Sequence, residues 1–164
     1  MSDRYSKLAP RDLVITMRSL SRRFDEALGP VRSDPERFAR RDELIDGASL
    51  TGHVEGLARH LGLLEQEIFK LTSEGDPVIN GEALASTPPP AAVDRSIGLD
   101  AAQAALAASA DAIGTRLDGV SSEQWSFRAP ASNGIKVMLA DVAQHAARVG
   151  AEGLRETQRL IDRI

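Results

Sequence analysis

The chain has 164 residues, 42% of them hydrophobic and 27% charged, with a net charge of −4. That is enough apolar material for one packed domain spanning residues 1–164, and it argues against disorder. Cysteine is absent, which excludes disulfides, zinc–thiolate centres and a cysteine nucleophile, and fits a reducing cytoplasm.

Residues 1–41 hold ten basic and six acidic side chains, against ten and eighteen in the remainder. The basic end is mixed with acids and lacks interleaved aromatics, so it reads as a solvated helix surface and no nucleic-acid partner is expected. The opening MSDRYSKLAPRD has no apolar leader segment, and no run of about 18 apolar residues occurs, so the expectation is a cytoplasmic protein without a membrane partner.

A first helix is predicted from Pro10, a favoured first-turn residue, to Gly29-Pro30, with Leu13, Met17, Leu20, Phe24 and Leu28 on one face. SDPERFARRDELIDG predicts a short helix capped by Ser33 or Asp34 and ending near Asp46-Gly47. A long helix follows from about Ser49 to Thr72, with Leu50, Val54, Leu57, Leu61, Leu64, Ile68 and Leu71 as its stripe. His53 and His60 lie along one edge of that stripe.

Residues 74–92 form a long connection containing three consecutive prolines, a length that suits a crossover or a lid. The next helix is expected over Asp94 to Leu117, carrying Leu99, Ala102, Leu106, Ile113 and Leu117 inward. Ser121 and Gln124 have capping-box spacing. A last helix is predicted from Ser132 almost to Ile164, lined by Ile135, Leu139, Val142, Ala146, Val149, Gly153, Leu160 and Ile161. No strand-period segment stands out. Four long helices with two long connections imply an all-α chain folded as a single four-helix bundle.

The chemistry concentrates in the last helix. Asp141 and His145 are one turn apart in LADVAQHAARVG, so their side chains can converge. With an imidazole from a second helix they would give two nitrogens and one carboxylate, a set suited to zinc, nickel, iron or manganese with positions left open. The plainer reading of the same spacing is a local helix pair. Arg148 and Glu152 continue that edge; they read as a helix salt bridge, or as groups that hold a substrate carboxylate or orient a ligand. No nucleophile elbow or glycine-rich phosphate loop is present.

GLARHLGLLEQEIF, DVAQHAARVGAEGLR and VSSEQWSF together resemble the DinB/YfiT-like metalloenzyme family, in the branch containing the N-terminal domain of mycothiol-dependent maleylpyruvate isomerase. The resemblance spans about residues 10–160. It implies a four-helix bundle with a long crossover connection and a metal ligand on the second long helix. His60, followed by Leu61 and Glu65, fills that place. Two further ligands would lie one turn apart on the last helix. The isomerase branch uses a glutamate and a histidine there, and Asp141 and His145 take that register with a shorter carboxylate. Many relatives instead place a second histidine one turn after the first, where this chain has Val149. His53 is a supporting or alternative ligand.

The resemblance therefore implies a divalent metal, zinc or nickel, held by His60, Asp141 and His145, which would activate water or an external low-molecular-weight thiol. The implied activities are a thiol-dependent transferase or isomerase, or a hydrolase, acting on a small molecule. The alternative is a non-catalytic bundle with a degenerate metal site, serving as a binding or interaction module. A homodimer is a further expectation from the family.

Overall fold

A computed structural model describes residues 7–73, 75–85 and 96–164. It is mostly helical. The elements are α1 (Pro10–Ser33), α2 (Pro35–Arg40), α3 (Leu50–Ser73), a 3-10 turn (Gly81–Leu84), α4 (Leu99–Asp118), α5 (Ser122–Trp125), β1 (Arg128–Pro130), β2 (Lys136–Met138) and α6 (Leu139–Ile161). The long helices α1 and α3 have the same two main neighbours, α4 and α6. The predicted stripes of α1, α3 and α4 are all buried in one continuous core. No helix among the described residues is long and apolar enough to cross a membrane.

α1 passes through Pro30 and ends at Ser33, one turn beyond the expected stop. Pro30 sits on the exposed side, while the next residue, Val31, is fully buried. Burial of Val31 and the ion pairs of Arg32 with Asp25 and Asp100 outweigh the backbone hydrogen bond that proline removes. α2 starts as predicted, with Asp34 accepting from the amides of Glu36 and Arg37, but stops at Arg40. Asp46 and Gly47 both have positive φ, 53° and 87°, and make a tight turn that pairs Ile45 with Ala48.

α4 begins at Leu99, later than predicted; positions 94 and 95 of the predicted start, and 74 and 86–92 of the predicted connection, lie outside the described residues. Glu55 of α3 fixes the beginning of α4 by accepting from the amides of Ile97 and Gly98. The Ser121–Gln124 capping box is present.

The largest difference from the sequence reading lies before α6. Residues 128–138 form an antiparallel hairpin, in which Ala129 pairs with Val137 and both are buried. Ile135 is therefore on an exposed turn, 60% accessible, and not on a helix face. The Asn133-Gly134 turn, with Gly134 at φ 82°, is the local cause. Ile79 pairs with Ala131 beside it, so the chain leaving α3 is tied to the hairpin.

Candidate functional site

α3 and α6 lie close enough that a Cβ on Gly153 would overlap the Leu57 side chain. Along this seam two imidazoles come together from different helices. His60 of α3 is 1% exposed and His145 of α6 is 7% exposed. Their ring centroids are 5.6 Å apart in an edge-on arrangement.

His60 is held by the connection after α3. Its Nε2 lies 2.9 Å from the carbonyl of Ala83 in the 3-10 turn. A carbonyl can only accept, so Nε2 carries the proton and the neutral ring has its lone pair on Nδ1. That Nδ1 is buried and has no hydrogen-bond partner among the described residues. The 3-10 turn is positioned in turn by Glu67. Its buried carboxylate accepts from Lys70 Nζ at 2.8 Å and from the Asn80 amide at 2.9 Å, and Asn80 caps the turn through the Glu82 amide.

His145 has the same proton arrangement, but its Nδ1 is occupied. Arg148 Nη2 is 2.7 Å from His145 Nδ1, and a guanidinium can only donate, so the lone pair on this ring sits on Nδ1. Arg148 thus reaches back to His145 and makes no salt bridge with Glu152.

Asp141 does not join the imidazoles. Its Oδ2 accepts from the Met138 amide at 2.9 Å, and the side chain is exposed. The cause is the position of the helix start. A helix opening at Ser132 would place Asp141 well inside it. Because α6 opens at Leu139, Asp141 is its third residue, and a carboxylate there satisfies an unpaired first-turn donor. Among the described residues, no three histidine, cysteine, aspartate or glutamate side chains converge as a metal-binding group.

His53 contacts α6 further along, with Nε2 3.0 Å from the Gly153 carbonyl. Beside it a cavity of about 170 Å³ opens between the helices, lined by His53, Leu57 and His60 of α3 and by Val149, Glu152, Gly153 and Glu156 of α6. Glu156 is paired with Arg159 at 2.6 Å, and that hydrogen bond holds its carboxyl below the ordinary glutamate value. Glu156 is a cavity residue that the sequence reading passed over, and Glu152 was read only together with Arg148. Their signal was the spacing 149, 152, 156, which continues the edge of His145 along α6.

Comparison with protein-family models, with curated proteins and with solved structures gives no match, so the residues of the seam carry the functional argument.

Proposed function

We propose that the four long helices make a DinB-like four-helix bundle that binds a divalent metal, zinc or nickel, at the seam between α3 and α6. His60, His145 and Asp141 would be the ligands. The observation that carries this reading is His60, a fully buried imidazole whose Nε2 is anchored on a backbone carbonyl and whose Nδ1 has no partner among the described residues. Anchoring one ring nitrogen on a carbonyl is how metal-ligating histidines are oriented, and an unmatched buried nitrogen costs stability unless something fills it.

His60 fits a metal as it stands. The other two ligands must each release one bond: Asp141 its hydrogen bond from the Met138 amide, and His145 the one from Arg148. Losing a helix cap costs about 1 kcal/mol. Losing a hydrogen bond from a charged donor costs about 1.5–3 kcal/mol. Thiolate-rich zinc-finger sites return on the order of 10 kcal/mol, and even half of that would exceed both costs together. When bound, such an ion supplies the Lewis acidity that deprotonates a water or an external thiol near neutral pH. That supports a thiol-dependent transferase or isomerase, or a hydrolase.

The test is elemental analysis of the purified full chain, followed by calorimetric titration of chelator-treated protein with zinc and with nickel. One equivalent should bind, and His60→Ala and His145→Ala should each weaken binding by at least about 100-fold. No binding tighter than about 10 μM would sink the metal reading.

A second reading is favoured by Asp141 serving as a helix cap and by Val149 lining the cavity where many relatives would offer a histidine. Here the chain is a binding or interaction module with a degenerate metal site. Substituting His145 by glutamine would then leave its interactions intact.

A further inference from the structure

The cavity between α3 and α6 has a one-sided hydrogen-bonding character. His53 and His60 each have Nε2 on a backbone carbonyl, of Gly153 and Ala83 respectively, so the donor of each neutral ring is already committed. What remains is the acceptor nitrogen, Nδ1, on each ring. Glu152 and Glu156 offer only acceptors. Glu156 is neutralised by Arg159, whereas Glu152 has no ion-pair partner among the described residues. Leu57, Val149 and Gly153 provide the rest of the wall, and these are apolar surfaces that suit hydrocarbon better than a hydrated ion.

An acidic pair alone would be an ordinary solvated helix edge. His60 adds an independent observation. It lines the same cavity, is 1% exposed, and has a buried Nδ1 without a partner among the described residues. A ligand that donates hydrogen bonds and carries positive charge would satisfy that nitrogen and the unpaired carboxylate at once.

We propose that this cavity binds a small primary amine as its ammonium ion, with the charged end at Glu152 and a compact hydrocarbon body against Leu57 and Val149. The volume sets the size. A cavity of about 150 Å³ accepts benzene, so about 170 Å³ suits a body of six or seven carbons. The site shares His60 with the metal reading, but neither Asp141 nor His145 lines it.

Cyclohexylamine is the probe, with cyclohexanol and cyclohexanecarboxylate as matched controls. Binding to the chelator-treated full chain near pH 7.5 would be followed by amide chemical shifts and calorimetry. The amine should bind with a Kd on the order of 1 mM, the scale set by its few heavy atoms. Shifts should be confined to residues 53–60 and 149–156. The alcohol should bind at least about tenfold more weakly, and the carboxylate should not bind measurably. Glu152→Gln, an exposed substitution that leaves the core alone, should weaken the amine about tenfold. His145→Ala should leave amine binding unchanged while removing metal binding, so failure of one reading is distinguishable from failure of the other. Equal binding of amine and alcohol, an unaltered Kd in Glu152→Gln, or shifts located elsewhere would overturn the proposal.

Discussion

The α1–α4 interface and the α3–α6 seam solve the same packing problem with different polar groups. Between α1 and α4, Arg18 pairs with Asp118, Arg32 pairs with Asp100 and also contacts Gln103, and Gln103 donates to Asp25. All but the buried Gln103 lie at the rim, and each meets a complementary partner. Between α3 and α6 the polar groups are imidazoles inside the core, and the buried Nδ1 of His60 is left unmatched among the described residues. A matched rim network explains itself as packing and register. An unmatched buried nitrogen lowers stability with no structural return, and such departures from local consistency mark functional sites.

The largest expected effect tests whether the two regions are separable. Phe24 of α1 is fully buried and belongs to neither histidine-bearing helix. Phe24→Ala should cost about 3–5 kcal/mol in denaturant unfolding. Below its unfolding transition, the variant should still bind zinc within about twofold of the parent. A metal affinity that falls along with stability would mean that the seam is not a local site.

Two glycines sharpen the comparison further. On Gly114 of α4, an added Cβ would come within 2.7 Å of Arg18 Cγ, near the root of a half-exposed side chain, and 3.3 Å from the Arg18 backbone nitrogen, so α1 must yield slightly. On Gly153 of α6 it would overlap the methyl groups of Leu57, a side chain only 3% exposed that must turn into the cavity it lines. Replacing a helical glycine by alanine gains about 1 kcal/mol of helix propensity. Gly114→Ala should therefore lose less than about 1 kcal/mol net, propensity offsetting most of the shift. Gly153→Ala should lose about 1–3 kcal/mol net, through overpacking. It should also displace His53 from the Gly153 carbonyl, visible as a shifted imidazole resonance. Equal stability changes at the two positions would show that both interfaces yield alike.

A smaller effect is expected at Arg148. Its guanidinium occupies the His145 lone pair that a metal would take, so it competes with the ion. Arg148→Met keeps the hydrocarbon stem and removes the competitor. Zinc affinity should rise about tenfold, equivalent to about 1.4 kcal/mol, near the lower limit for a hydrogen bond from a charged donor. A lower affinity in this variant would show that Arg148 supports the site rather than competes for it.

Periodicity made the long helices readable because every inward leucine, valine or isoleucine of α3 recurs at helical spacing, and all seven predicted stripe residues are buried. It misplaced the start of α6, since Ile135, Leu139 and Val142 also fit a helical repeat. The competing signal was local: Asn133-Gly134 between alternating residues is a hairpin turn, and it overrides a weak apolar spacing. That boundary decides the role of Asp141, because a carboxylate three residues into a helix is a cap. His60 and His145 could be placed only at the edges of buried faces from sequence, and the structure brings their rings together. Sequence could not reveal that Ala83 would accept from His60 or that Glu67 would hold the Asn80 amide. Those contacts depend on the path of an irregular segment, which has no period to read.

The smallest expected effect lies at the far end of α6, where charges are again matched at the surface. Asp46 accepts from Arg163 and Arg159, and these guanidiniums hold its carboxyl below the ordinary aspartate value. Arg159 does the same for Glu156. A depressed folded-state value means that the stabilisation is fully present above the ordinary carboxylate range and is lost as pH falls through the depressed value. Asp46→Asn removes the charge alone, because asparagine also tolerates the positive φ of 53° found there. The variant should melt slightly below the parent at pH 7 and low salt, and the two curves should converge as pH falls through the depressed carboxyl value. The difference should also fade in about 1 M salt, where the screening length falls to about 3 Å. A gap that survives both acid and salt would mean that Asp46 holds the turn through its shape instead of its charge. The surface network at this end of α6 would then owe less to electrostatics than the rim between α1 and α4.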